Sequence, residues 1–211
     1  MAATSPPPIA RRLSAEDRRE QILETASALF IERGFEAVGM NDIAHELQTS
    51  RPTVYTYFTS TEDMLRALLQ GRLPAMWERL RPILPASGEF RAGTFSALFL
   101  ALLHERELLL LLHSGGGPIF REQRGHFLRQ LGGWLKPYRR AEARQPGVLH
   151  LITLLLEAAL VEAVRTEQNP EDLQAQAHAV GQFIAGGVAA LASETGGSWP
   201  GQDAPPISPP Q

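Results

Sequence analysis

The chain has 211 residues, with 20 Lys and Arg against 23 Asp and Glu and a net charge of −3. Bulk positive charge therefore cannot draw it to nucleic acid or to an acidic surface, and any such binding must come from local placement. A hydrophobic content of 44% is enough for a sizeable core, while the lack of cysteine excludes a disulfide framework and a thiolate metal site. Residues 1–13, with Pro6-Pro7-Pro8, read as a flexible arm that carries Arg11 and Arg12. Met1 to Arg12 has no apolar run of the signal-peptide kind, and the longest apolar stretch, Val148 to Val164, is interrupted by His150, Glu157 and Glu162. The expectation is a soluble, cytoplasmic protein.

The first helix opens at Ser14, with Asp17 three residues on as its capping partner, and buries Ile22, Ala26, Leu29 and Phe30 before stopping at Gly34. Two short helices follow. Ile43, Ala44 and Leu47 form one apolar stripe at helical spacing, and Val54 and Phe58 form another. Ser50 is a good N-cap for the second of them, and Pro52 lies in its first turn, where a missing N–H costs nothing. Arg51, Thr53, Tyr55, Thr56 and Tyr57 then project outward. A cation, hydroxyls and aromatic edges suit phosphates and base edges, so this pair reads as a helix-turn-helix with its second helix in the DNA major groove. Residues 1–60 nevertheless carry six arginines against eight acids. Arg11, Arg12, Arg18 and Arg19 must supply positive charge locally, the arm by contacting the backbone or the minor groove.

Gly34-Phe35, Asp42-Ile43-Ala44, Ser50 with Thr53-Val54-Tyr55 and Tyr57-Phe58, and Ser60 with Glu62-Asp63-Met64-Leu65 closely resemble the DNA-binding domain of the tetracycline-repressor (TetR/AcrR) family. The match covers roughly residues 15 to 70. The resemblance implies an all-α fold, with an N-terminal three-helix DNA-binding domain and a C-terminal helical domain for ligand binding and dimerisation. It also implies contacts to DNA from Asn41, Ser50, Arg51, Pro52, Thr53, Tyr55, Thr56, Tyr57 and Thr61, besides Arg11 and Arg12. Two departures from the family pattern matter. Gln48 stands where the turn usually has glycine, at about 1 kcal/mol or more if the backbone is left-handed. Thr61 replaces a frequent lysine, and Asn41 stands where a base- or phosphate-contacting polar residue is common, so fewer phosphates are held.

Ser60 opens a longer fourth helix that joins this head to the body and closes near Pro82 and Pro85. Phe95 through Leu112 reads as a helix and a short second one, broken at His104-Glu105-Arg106-Glu107. Ser114-Gly115-Gly116-Gly117-Pro118 is a loop, with no Gly-Lys-Ser/Thr to make it a phosphate loop. Phe120, Phe127, Leu131, Trp134 and Tyr138 line one side of a further helix, and Gly132-Gly133 in its middle points to a close contact or a bend.

Val148 to Val164 is apolar nearly all round and needs cover on both sides. In the last helix, about Pro170 to Glu194, Ala177, Gly181 and Ala185 fall four apart, as do Gly186 and Ala190. These two helices resemble the pair through which the family forms a four-helix dimer interface, which assigns Leu151, Leu155, Ala158, Val180, Gly181, Ile184, Ala185 and Val188 to a homodimer contact. A two-fold dimer reads an inverted-repeat operator. In the family a small molecule inside the body releases the DNA. That implies a repressor, with Trp77, Phe99, Leu103, Phe120, Phe127, Trp134 and Leu154 as pocket walls and His104 and His150 as polar contacts. A helical regulator working through a protein partner is the alternative. The six histidines form no metal-binding spacing, no nucleophile elbow is present, and neither enzyme, metal nor cofactor is expected. The expected domains are an arm at 1–13, the helix-turn-helix at 14–60, the effector-binding and dimerisation domain at 61–194, and a disordered tail at 195–211.

Overall fold

The computed structural model describes residues 14–83, 91–134, 147–166 and 168–193, apart from the side chains of Trp134 and residues 191–193. Arg11, Arg12, Pro85, Tyr138 and the tail lie outside the described residues. Helices α1 (Ala15–Arg33), α2 (Met40–Glu46) and α3 (Arg51–Tyr57) form the head, and α4 (Thr61–Leu80) leads from it. The body adds α5 (Ala92–Leu103), α6 (Arg106–Leu112), α7 (Pro118–Trp134), α8 (Val148–Arg165) and α9 (Pro170–Ser193). Short 3₁₀ turns at Phe35–Ala37 and Arg81–Ile83 follow α1 and α4. Among the described residues no strand occurs, and the fold is all-α with an N-terminal helix-turn-helix and a C-terminal helical domain.

Local chemistry sets the helix ends where the spacing predicts them. The Asp17 amide donates to Ser14 Oγ at 3.0 Å and the Ser14 amide to the Asp17 carboxylate at 3.3 Å, so two orphan donors of α1 are satisfied reciprocally. Gly34 ends α1 at φ 84°, ψ 143°, a conformation open to glycine, with its N–H bonded to Phe30 O. Ser50 caps α3 and Ser60 caps α4 through the amides of Thr53 and Asp63. In the head, Ile22, Ala26 and Phe30 of α1 meet Ile43, Ala44, Val54 and Phe58 in one fully buried cluster. Each of the larger of these side chains, the alanines aside, contributes roughly 1.5–3 kcal/mol of apolar burial if removed completely from water.

Helix α4 continues through Pro74, which the sequence reading did not single out. Met64, Leu65, Leu68, Leu69, Leu73, Met76, Trp77 and Leu80 make its buried seam. The proline is exposed and borders a cleft between α4 and α7.

The pairing of α9 with α5 is the most extensive between helices among the described residues. Gly181 makes it possible, because a Cβ there would overlap Ser96 Oγ and the Ala92 carbonyl. Ala177, Ile184 and Val188 are buried along the same side of α9, and Val180 is half-buried. This corrects the expectation for the small-residue ridge. It does let two helices approach closely, but the partner of Gly181 is α5 of the same chain, so Gly181, Ile184 and Val188 are internal packing and are covered without a second subunit.

Helix α8 behaves differently. It buries Val148, Ile152, Leu156, Leu160, Ala163 and Val164, and pairs Glu157 with His113 Nε2 at 3.3 Å. Its other side exposes Leu151, Leu154, Leu155 and Ala158. Replacing Gly181 by Ala is expected to destabilise the chain by about 1–3 kcal/mol through overpacking against α5. Gly71→Ala, on an open face of α4 with nothing within 4 Å, should instead stabilise by roughly 0.5–1 kcal/mol. Urea unfolding of the two variants reads both signs.

Candidate nucleic-acid interface

The reading surface is built by a tight turn between two short helices. Asp42 accepts the Gly39 amide at 2.7 Å and starts α2. At its end Gln48 takes φ 51°, the one non-glycine residue with positive φ among the described residues, and the Thr49 amide reaches back to Ala44 O at 2.9 Å. Glutamine in that conformation costs about 1–2 kcal/mol relative to a residue without Cβ, which the buried Ile43, Ala44 and Val54 on either side offset. The helix pair is thereby held at a fixed angle.

Along α3, Arg51, Pro52, Tyr55 and Thr56 are exposed, as are Asn41 and Ser50 beside them. Arg51 donates from NH2 to the Tyr55 hydroxyl at 3.0 Å, with its guanidinium carbon 5.2 Å from the centroid of that ring. Thr56 returns its hydroxyl to Pro52 O at 3.0 Å. Thr53 and Tyr57, expected to project outward, are half-buried. The Thr53 hydroxyl lies 2.8 Å from Ser50 Oγ, and Tyr57 packs against the core at the back of α3. Thr61 is half-buried at the start of α4. There the Asp63 carboxylate already takes the Thr59 amide at 3.0 Å and its hydroxyl at 3.2 Å, so this helix start carries its own anion.

The cations of the head divide by partner. Arg33 lies 3.9 Å from Glu46, whereas Arg19 stacks over Phe58 at 4.9 Å and Arg18 bonds Gln21. Arg18, Arg19 and Arg51 thus have neutral partners, and among the described residues no carboxylate is in contact with them.

The head is clasped to the body at the turn after α1. The Phe35 amide donates to Ser114 O at 2.9 Å, and Glu36 Oε1 accepts the amides of Gly116 at 2.8 Å and Gly117 at 3.3 Å. Phe35 lies between Phe30 and Phe120, with both ring centroids 5.0 Å away. A Cβ at Gly115 would run into the Phe120 ring and the Glu36 carboxylate. The triple glycine is therefore a docking loop for Glu36. Neither residue signals the other in the sequence, because some eighty residues separate them. Arg72 of α4 adds a second tie, to Ser27 Oγ of α1 at 3.1 Å and to Glu107 of α6 at 3.7 Å.

The residues expected to wall an effector pocket do not line one cavity among the described residues. Phe99, Phe120 and Phe127 are buried in the core, while His104, His150 and Leu154 are exposed, and the His104 ring bonds Leu100 O. Leu103 and His104 border a cleft of about 280 Å³ against Leu173 and Gln174. Trp77 borders another of about 290 Å³ between α4 and α7, with Leu69, Leu73, Gln123 and His126, and lies 5.4 Å from the Phe127 ring. Aromatic spacing alone did not separate core from pocket. The Trp134 side chain lies outside the described residues.

Residues 22–68, which hold the turn, α2 and α3, match the family described as bacterial regulatory proteins, tetR family. Across those residues the head of the chain is similar to that family. It is 34% identical over 97 residues to the HTH-type transcriptional repressor KstR2 of Mycobacterium tuberculosis, covering 44% of this chain and 48% of that protein. It is also 34% identical over 80 residues to the HTH-type transcriptional activator FasR of Mycolicibacterium smegmatis, covering 38% of this chain and 36% of that one. The matched segment thus spans less than half the length of either relative. Both are regulators rather than enzymes. A TetR-like transcriptional regulator from Rhodococcus sp. RHA1 has a similar fold throughout, with a TM-score of 0.64, 19% identity, and coverage of 84% of this chain and 99% of that one. Among the described residues no helix is long and apolar enough to cross a membrane, and no cluster of His, Asp and Glu could hold a metal ion.

The clasp has a pH signature. Hydrogen bonds to the carboxylate, first from the Gly116 amide and then from its own amide, with a lesser one from Gly117, hold Glu36 below its ordinary value against the opposing effect of burial. Stability from this clasp is complete above the unfolded glutamate pKa and is lost as pH falls through the lower folded value. Glu36→Gln should therefore remove part of the acid-side loss of stability, visible as a shallower fall in melting temperature below the usual carboxylate range.

Proposed function

We propose that the chain is a DNA-binding transcriptional regulator that acts as a two-fold homodimer on an inverted-repeat operator. The observation that carries this reading is the exposed edge of α3 on a rigid turn, with Arg51 facing solvent beside Tyr55 and Thr56. Asn41, Ser50 and Thr61 flank it and would take phosphates, as would Arg11 and Arg12 on the arm. With few phosphates held and a net negative chain, affinity rests on using the head twice.

The dimer face in this reading is the exposed side of α8 and the adjoining side of α9. Leu151 is 53% exposed and Phe183 70%, and Leu154, Leu155 and Ala158 continue the same α8 stripe at helical spacing. Apolar residues grouped on one face favour a partner over water. Half-buried Val180 and Ala185 belong to the edge of that face, next to the α5 contact. Two-fold pairing sets the recognition helices about one DNA turn apart, or a multiple of it.

The regulator is a repressor released by a small molecule bound in the body. The KstR2 repressor and the FasR activator each match this chain at 34% identity, so the repressor assignment is tested by the direction of the expression change and not by α3. The entry for an effector is the cleft between α4 and α7, where Trp77 is accessible from the Gln123 and His126 side. Movement there reaches the head through α4 and through the Glu36 clasp.

Gel shifts with the DNA upstream of the chain's own gene test the reading. Salt-sensitive, sequence-selective binding is expected, with log affinity falling by about 0.9 per neutralised phosphate for each decade of salt. Arg12→Ala should weaken binding to all sequences alike. Leu151→Glu combined with Phe183→Asp should give a folded monomer in analytical ultracentrifugation and abolish binding to the full operator at concentrations where the parent chain saturates it. A dimer surviving both changes would place the interface elsewhere.

A further inference from the structure

Arg51 and Tyr55 are one turn apart on α3 and make a single unit whose geometry is complete before any DNA is present. The guanidinium lies against the Tyr55 ring and spends one hydrogen on the phenol oxygen at 3.0 Å. Its remaining donors have no partner among the described residues. The carboxylates of α2 are engaged elsewhere, Asp42 with the Gly39 amide and Glu46 with Arg33. A long, flexible cation that elsewhere would fold onto an acid is instead parked on a neutral aromatic shelf, with its outer edge exposed.

Its place on the helix matters as much as its partner. Arg51 is the first residue of α3, directly after the Ser50 cap, and residues at the N-terminal end of a recognition helix are those that reach base edges. A guanidinium edge presents two parallel donors. In the major groove guanine offers two acceptors side by side, O6 and N7, whereas adenine pairs an acceptor with a donor, thymine has one acceptor beside a methyl group, and cytosine presents a donor. We propose that Arg51, held by Tyr55, reads one guanine in each half-site of the operator. This rests on the DNA-binding reading above and adds to it the base and the positioning residue. Tyr55 contributes by fixing the arginine in advance, so less side-chain freedom is lost on binding.

The experiment is selection from randomised duplex DNA with the full chain and with Arg51→Ala, Arg51→Lys and Tyr55→Phe, followed by affinity measurements on the selected site and its single-base variants. The parent chain is expected to enrich an inverted repeat with guanine at one symmetry-related pair of positions, preferred over other bases by roughly 5- to 150-fold. Arg51→Ala should lose preference at that pair only. Arg51→Lys, which keeps the charge without the fork, should fall in affinity on the selected site toward the parent's affinity for its single-base variants, losing most of the discrimination while its binding to those variants changes little. Tyr55→Phe keeps the ring and removes the acceptor, and should lower discrimination at the same pair while leaving the other positions unchanged. If the parent chain enriches a site but Arg51→Ala keeps every base preference, or weakens binding equally on all sequences, the guanine assignment is wrong. If the parent enriches no sequence at all, the DNA-binding reading itself fails.

Discussion

Phe35 is the side chain on which the arrangement of head and body depends. It follows the glycine that ends α1, and its ring is held between Phe30 of the head and Phe120 of the body. Without Gly34 at positive φ the chain could not turn sharply enough to set that ring between the other two. The backbone amide of the same residue bonds the docking loop, and the next residue supplies the carboxylate that clasps it. Apolar contact thus determines where the two parts meet, and directed hydrogen bonds determine their orientation. The reading helix is placed by that junction as well as by its own core.

What could be read in the sequence was local. Ser14 with Asp17, Ser50 with Pro52, Ser60 and Gly34 each act within one helical turn, and each does in the fold what its chemistry demands. The break at His104 to Glu107 separates α5 from α6 as the leucine pattern requires. The strained Gln48 turn was legible only through the resemblance, which puts glycine at that position. Pairings across the chain were not legible. Glu36 and the triple glycine carry no mutual signal, and the small-residue ridge of α9 announces a close neighbour without saying which one. The same limit applies to Phe99, Phe120 and Phe127, whose helical spacing is equally that of a core and of a pocket wall.

Charge shows how little a global count constrains a surface. The negative total does not stop Arg18, Arg19 and Arg51 from keeping neutral partners on the head, while Arg72, Arg79 and Arg81 of the α4 region are matched with carboxylates. Arg72 and Arg79 meet carboxylates where α4 is tied to α6 and to the turn before it, whereas Arg51 at the reading end meets a phenol. Distribution rather than amount gives the molecule its polarity.

Pro74 lacks the N–H that would reach the Gln70 carbonyl, so one rung of α4 is missing at the middle of the helix that links body to head. A rod with a missing rung is softest at that level. Helix α4 is then better described as two stiff segments with a compliant joint than as one lever. The same joint lets head and body be altered separately, because a change in one segment need not strain the packing of the other.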